Sequence, residues 1–404
     1  MSYTVIARKY RPQRFADITA QEHVTRTLQN AIRSGRIAHG YIFSGSRGVG
    51  KTTSARILAK ALNCERILND EAYRQEVAEP CGVCESCRDF DAGASLNIAE
   101  FDAASNNSVE DIRILRENVR YGPQKGKYKV YIIDEFHMLS NAAFNAFLKT
   151  LEEPPPHAVF IFATTELHKV PATISSRCQK FIFKRIASED IAARLADICR
   201  AEHIEIDAEA LALIARKADG AMRDAQSLLD QVIAFCTENG KGKIEYAAVS
   251  KLLNVIDDER FFEVSDAIRN KDSCKMLEVS EFIYRNGFNV SDFLQRLVAH
   301  FRNFLIIKNV RSSKLIETTT ELKRRYEKDA EHFTREALMR FIDATIQAEQ
   351  GIKFLREPQL RLEILLFKLI DLNEQSELEA RLTRIEKTLA ALQEEIKKKS
   401  LAQV

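Results

Sequence analysis

Gly45-Ser46-Arg47-Gly48-Val49-Gly50-Lys51-Thr52 fits the pattern G-x-x-x-x-G-K-[ST] in full. Tyr41-Ile42-Phe43 just upstream is a short apolar run suited to a strand, and Lys51 to Leu62 downstream reads as a helix. Strand, glycine-rich turn and helix in that order make a phosphate-binding loop. Its glycines let backbone N–H groups turn inward around anionic oxygens, and the helix N-terminus adds partial positive charge. Lys51 offers a point charge to the β- and γ-phosphates, and Thr52 a hydroxyl to Mg2+. Thr53 follows in the same first helical turn and completes the nucleotide-binding stretch.

Such a loop needs a metal partner. Val130-Tyr131-Ile132-Ile133 is an apolar strand that ends in two carboxylates, Asp134 and Glu135. Asp134 suits Mg2+ through its water shell, and Glu135 suits the orientation of an attacking water. Binding alone does not call for Glu135, so hydrolysis is the expectation. Val159-Phe160-Ile161-Phe162, Phe181-Ile182-Phe183 and the weaker Leu96 to Phe101 read as further strands. Helices are expected over Val109 to Val119 and Ala142 to Leu151, the second stopping before Pro154-Pro155-Pro156. Alternation of this kind predicts a parallel sheet covered on both faces.

After Phe183 the strand signals fade. Three helices are expected within 188–236, and a longer helical region runs from about Val249 to Leu372. Further on, Leu378, Leu382, Ile385, Leu389, Leu392 and Ile396 are spaced 4-3-4-3-4. That seam suits either a coiled coil or a terminal helix that docks on its own domain or leads into a linker.

Length and charge bound the rest. A chain of 404 residues with 45% hydrophobic and 29% charged side chains can fill several cores, which excludes a mainly disordered chain. The net charge of +2 excludes a uniformly basic nucleic-acid coat, yet residues 1–60 carry eleven basic side chains against Asp17 and Glu22. No apolar run approaches the roughly 18 residues a membrane span needs. Charges interrupt the N-terminus before a signal-peptide core could form, so a cytoplasmic protein without a membrane partner is expected.

Ala7-Arg8-Lys9-Tyr10-Arg11-Pro12, Gly45 to Thr52, Asp134-Glu135-Phe136-His137-Met138-Leu139, Leu148-Lys149-Thr150-Leu151-Glu152-Glu153-Pro154-Pro155, Phe162-Ala163-Thr164-Thr165 and Ser176-Arg177-Cys178 occur in one order. Over about residues 3 to 370 the chain resembles the gamma/tau family of bacterial DNA polymerase III, the ATPases of the replicative clamp loader. The resemblance implies an α/β AAA+ fold: an αβα domain on a five-stranded parallel sheet, a small helical lid and an all-α C-terminal collar. The divisions are expected at 1–186 for the ATPase core with an inserted zinc module at 64–87, 187–248 for the lid, 249–373 for the collar, and 374–404 for a terminal amphipathic helix or linker.

It further implies ATP and Mg2+ as ligands and residue roles to go with them. Thr164 matches the sensor of the γ-phosphate, Arg223 the lid sensor of the chain's own nucleotide, and Arg177 the arginine finger given to a neighbouring subunit. Arg11 and Pro12 match the segment near the adenine. The implied partners are the delta and delta-prime subunits, other gamma/tau copies, the sliding clamp and the phosphates of primer–template DNA. Candidate DNA contacts are the helix opening at Ser108 and the side chain of Lys149, a position that equally suits a solvated lysine.

Cys81-Gly82-Val83-Cys84-Glu85-Ser86-Cys87 spaces three thiols two residues apart, and Cys64 ends the helix after the phosphate loop. Four thiolates suit a closed structural Zn2+ site, and the family carries such a module with the same triplet. The long acidic connector 65–80 sets Cys64 apart from the triplet. An iron–sulfur cluster is the competing ligand, but no further cysteine follows Cys87 at the spacing that pattern uses. Two other functions compete with a clamp-loader motor. A nucleic-acid translocase or helicase would call for pore-lining aromatic loops, which are not evident before Asp134. A scaffold would have no need of both Gly50-Lys51-Thr52 and Asp134-Glu135.

Overall fold

The computed structural model describes residues 4–105, 109–236, 242–310, 312, 315–316, 318, 320–352 and 357–401. They divide into two compact units, Met1–Leu253 and Asn254–Val404.

The first unit is built on five parallel strands: β1 Gly40–Ser44, β2 Ile98–Asp102, β3 Lys129–Asp134, β4 Ala158–Thr164 and β5 Gln179–Ile182. Their order across the sheet is β2-β3-β4-β1-β5. Every residue of β1 and β4 is buried, as expected of central parallel strands covered on both faces, whereas edge strands β2 and β5 carry exposed positions. Alternation along each strand sorts the core into two layers. Tyr41, Phe43, Val159 and Ile161 face helices Glu22–Ser34 and Lys51–Leu62. Ile42, Phe160 and Phe162 face Phe144 and Phe147 on helix Asn141–Glu152, with Leu115 and Val119 from helix Val109–Val119 in the same cluster. Ser140 Oγ caps helix Asn141–Glu152 by accepting from the Ala143 N–H at 3.2 Å, and the prolines from Pro154 end it. The two helices after the phosphate loop and before Pro154 therefore lie where periodicity predicts them.

Register sets the site. Ser44 at the end of β1 pairs with Thr164 at the end of β4, and Asp102 of β2 with Asp134 of β3. The carboxyl ends of four strands thus meet along one edge, where open α/β sheets bind ligands. Helices Ser188–Ala201, Ala208–Lys217 and Met222–Cys236 follow, matching the three expected. A fourth, Tyr246–Leu252, also belongs to the first unit. The 248/249 division expected from sequence would cut it.

The second unit is all helical: Asp258–Asn270, Ser273–Arg285, Val290–Val310, Thr320–Asp329, Arg335–Ile352 and Pro358–Leu401. Phenylalanines 261, 262, 293, 301, 304 and 341 form its centre. Among them lies His300, 2% exposed, with Nδ1 2.7 Å from Tyr326 Oη and Nε2 2.6 Å from Ser265 Oγ. Helix Pro358–Leu401 runs unbroken across the 373/374 division. Leu362, Leu366 and Leu369 bury its first turns, but Leu378, Leu382, Ile385 and Leu389 are each more than half exposed. At those four positions the seam is exposed and does not pack on the chain's own core. Leu392 and Ile396 lie among side chains outside the described set.

Candidate nucleotide and metal sites

The phosphate loop is threaded through a tight passage. A Cβ at Gly45 would lie 2.6 Å from the Phe183 carbonyl oxygen, and one at Gly48 would lie 2.8 Å from Ala221 Cβ. Gly48 also has φ +77°, a backbone state glycine tolerates and other residues resist. The passage brings helix Met222–Cys236 onto the loop, where the Arg223 N–H meets the Gly48 carbonyl at 3.4 Å.

Lys51 is 6% exposed and donates from Nζ to the carbonyls of Ser46 and Gly45 at 2.7 and 2.8 Å. Burial pushes its pKa down, opposed by the charges of Glu135 and Asp134. Thr52 Oγ1 donates to Asp134 Oδ2 at 2.8 Å, so hydroxyl and carboxylate share one point in space although 82 residues separate them. Asp134 Oδ1 accepts from the Glu135 N–H at 2.9 Å. Glu135 itself sits at φ +45°, an uncommon state for a residue with a side chain and one that clusters at functional sites.

Arg11 reaches the same place from the N-terminal segment, with Nε donating to Thr53 Oγ1 at 3.4 Å. Burial lowers its pKa, with Arg56 a second cause. Thr164 is fully buried at the tip of β4, and its carbonyl accepts from the Gly45 N–H at 3.2 Å. A cleft of about 620 Å³ is lined by Arg11, Arg47, Val49, Lys51, Asp134, Glu135 and Arg223 among others, while Thr164 is not among its lining residues. That volume suits a nucleoside triphosphate.

Arg177 lies elsewhere. It is absent from the cleft lining, and its Nη2 pairs with Glu152 Oε1 at 2.9 Å. Lys149 is exposed on helix Asn141–Glu152, and Ser108 lies outside the described residues. Sequence reasoning gave no role to three residues of this region. Asp102 and Arg194 line the cleft, and His137 bridges Glu135 and Thr164. Asp102 carried a weak signal as an acid ending a strand. Arg194 carried none, because its position depends on how the helical part folds over the loop.

The sulfur atoms of Cys64, Cys81, Cys84 and Cys87 lie within 4.8 Å of one another. Four thiolates about 2.3 Å from one Zn2+ stand roughly 3.8 Å apart, so the cluster fits that ion. Cys64 and Cys87 are fully buried. A hydrogen bond between them lowers the Cys64 thiol and pushes the Cys87 thiol up. The Cys81 N–H points at Cys64 Sγ at 3.4 Å and the Cys84 N–H at Cys81 Sγ at 3.3 Å, bonds that orient thiolate ligands. The connector brings Cys64 to the triplet by folding into helices Glu65–Asn69 and Glu71–Glu76.

Residues 20–187 match the family described as DNA polymerase III, delta subunit, and residues 190–238 the clamp loader subunit, ATPase lid domain. Residues 244–385 match DNA polymerase III subunits gamma and tau domain III. The DNA polymerase III subunit gamma of Buchnera aphidicola is 35% identical over 375 residues, covering 92% of this chain and 98% of that protein. Subunit tau of Bacillus subtilis is 40% identical over 384 residues, 93% of this chain and 65% of its own length. Subunit tau of Escherichia coli is 50% identical over 268 residues, 66% of this chain. The chain spans 65% and 40% of the length of these two tau relatives.

Proposed function

The chain belongs to the gamma/tau family of DNA polymerase III, and from that premise we propose that it is an ATP-hydrolysing motor subunit of a clamp loader. The observation that carries the reading is the 2.8 Å bond between Thr52 Oγ1 and Asp134 Oδ2 beside buried Lys51. Thr52 and Asp134 are the residues to hold Mg2+, Asp134 through its water shell. Bound there, the ion would neutralise charge on the β- and γ-phosphates.

Lys51 would exchange its loop carbonyls for phosphate oxygens. Glu135 would orient a water for in-line attack on the γ-phosphorus and take its proton as ADP leaves. Thr164 would report the γ-phosphate, Arg223 the closure of residues 187–248 over the nucleotide, and Arg11 would flank the adenine. Arg177, turned away from its own cleft, suits a finger offered to the next subunit, so that hydrolysis waits for assembly.

Partners on this reading are delta, delta-prime and further gamma/tau copies, held by a collar formed by 249–373. The cargo is the sliding clamp, loaded onto primer–template DNA gripped by its phosphates, with Lys149 one candidate contact. The setting is the cytoplasm, and no helix among the described residues is long and apolar enough to cross a membrane. Zn2+ on Cys64, Cys81, Cys84 and Cys87 would be structural, since four thiolates leave no open position.

The test is ATP hydrolysis by the assembled complex with clamp and primed DNA added separately and together. Stimulation that needs both supports the reading. Strand displacement would favour a translocase, and no hydrolysis under any condition a scaffold.

A further inference from the structure

The N-terminal segment forms part of the cleft wall without a long element to hold it there. Helix Ile6–Lys9 has four residues, too few to be stable by itself. Further on, the chain is fixed to the sheet domain at Phe15 and Ala16, whose N–H groups donate to Glu79 at 2.7 and 3.0 Å. Ahead of that anchor, Arg8 and Arg11 line the cleft together with Arg194 of helix Ser188–Ala201 and Arg223 of helix Met222–Cys236. Like charges from three chain segments thus share one cleft, and they repel until an anion enters. The effect reaches Arg11, whose pKa is lowered by burial first, then by Arg56 and Arg223.

The contacts that hold the segment come from the same two helices. Helix Ile6–Lys9 packs against Met222–Cys236, where the Ile6 N–H donates to Asp230 Oδ2 at 2.7 Å. Glu202, the C-cap of Ser188–Ala201, takes two consecutive residues of the segment. Tyr10 Oη donates to Glu202 Oε1, and Lys9 Nζ lies 2.5 Å from the same oxygen. Burial, then the bond to Glu202, pushes Tyr10 up to about 12, and Lys9 and Tyr10 hold the Glu202 carboxyl below the usual carboxylate range. The hydroxyl stays the donor and the carboxylate the acceptor, in a charge-assisted bond. Glu202 itself does not line the cleft. Tyr10 and Arg11 are neighbours, so the carboxylate that fixes Tyr10 also fixes where Arg11 begins its reach to Thr53 Oγ1.

We propose that Glu202 is a positioning residue for the nucleotide: through Tyr10 and Lys9 it holds the N-terminal segment on the helical wall and keeps Arg8 and Arg11 in the cleft against the repulsion of Arg194 and Arg223. The inference rests on the ATP-binding part of the reading above. Glu202 touches no reacting atom. It acts on the cost of assembling the cleft, which is felt in ATP affinity and not in the chemical step.

The experiment measures ATP dissociation constants for the isolated full chain, and KM and kcat for the assembled complex with clamp and primed DNA. The proteins are wild type, Glu202→Ala, Glu202→Gln, Tyr10→Phe and the double variant Y10F/E202A. Amide hydrogen exchange with and without ATP is read on the same preparations, and unchanged exchange from strand Gly40–Ser44 shows that the fold survives. Glu202→Ala should raise the ATP dissociation constant and KM about 3- to 10-fold and leave kcat at saturating ATP within about twofold. Glu202→Gln keeps an acceptor for Tyr10 and should recover most of the affinity, because Lys9 is half exposed and its ion pair contributes little. Tyr10→Phe should lose as much affinity as Glu202→Ala, and the double variant should be little worse than either, since both break one link. Without ATP, residues 4–11 should exchange faster in Glu202→Ala than in wild type, and saturating ATP should narrow the gap. Unchanged affinity in Glu202→Ala, a fall in kcat at constant KM, equal losses in the Ala and Gln variants, or wild-type exchange from residues 4–11 would each overturn the proposal. A complex that hydrolysed no ATP would remove the motor reading, while affinity and exchange, which need no turnover, would still decide this one.

Discussion

Arg177 holds partners of its own chain, Glu152 Oε1 at 2.9 Å and the Thr173 carbonyl at 2.5 Å. The ion pair is about a third to half exposed on both sides, and pairs of that kind contribute about 0–1 kcal/mol. Exchanging Glu152 for an anion on another subunit is therefore cheap, whereas a fully buried pair would resist it. This separates Arg177 from Lys51, which is already enclosed by its own cleft. Arg177→Ala should leave ATP binding by the isolated subunit within about twofold, since nothing in that cleft touches it. In the assembled complex, hydrolysis should fall by about 10³- to 10⁵-fold, the range a finger in trans supplies. Equilibrium binding and steady-state hydrolysis measured on one preparation check both halves. A loss of affinity in the isolated subunit would place the arginine in its own site and end the trans assignment.

Among the elements, the cysteine module is bound most closely to the phosphate-loop helix. Lys60 of helix Lys51–Leu62 is 3% exposed and donates to both Asp91 oxygens, at 2.7 and 2.6 Å, on helix Glu85–Asp91. One turn earlier, the Arg56 guanidinium lies 4.8 Å over the Phe90 ring. Buried Glu79 ties the module to the N-terminal segment, accepting from the N–H groups of Phe15 and Ala16 at 2.7 and 3.0 Å. Metal content should be one zinc per chain by elemental analysis, and iron would overturn the zinc assignment. Stripping the metal with a chelator should expose four thiols to a thiol reagent and weaken ATP binding several-fold, because helix Lys51–Leu62 loses its outer support. Unchanged affinity in stripped protein would show that the module does not brace the loop. The thiol triplet, the helix bounds and the apolar strands were legible in sequence because each is a local pattern. Cys64 was legible as the fourth thiol, but not how the connector 65–80 folds to bring it in, where Glu79 finds partners 63 and 64 residues away. His137 stayed silent for the same reason. Its partner Thr164 is near only once β3 and β4 pair.

At the scale of the whole chain, two units with separate cores carry separate chemistry. The first holds the cleft and divides its basic residues between two roles. Lys51, Arg47 and Arg11 line the site, while other basic residues of 1–60 pair with acids, as Lys9 does with Glu202. The second holds His300, whose pKa burial pushes down to about 3, with Arg325 a minor cause. The folded unit keeps that ring neutral, while the unfolded chain protonates it below about pH 6.5. His300 therefore adds stability above pH 6.5 that is lost as pH falls toward 3, by about 2 kcal/mol at pH 5. Magnesium and ATP at about 100 times the dissociation constant should add about 2.7 kcal/mol to the first unit alone. Calorimetry of the full chain should then resolve two transitions. Nucleotide should raise one by about 5–10 °C and leave the other in place. Moving from pH 7 to pH 5 should lower the second by about 4–8 °C relative to a His300→Gln variant, in which this part of the acid sensitivity disappears. If nucleotide moved both transitions together, the two units would be one cooperative body, and collar and motor could not be tuned independently.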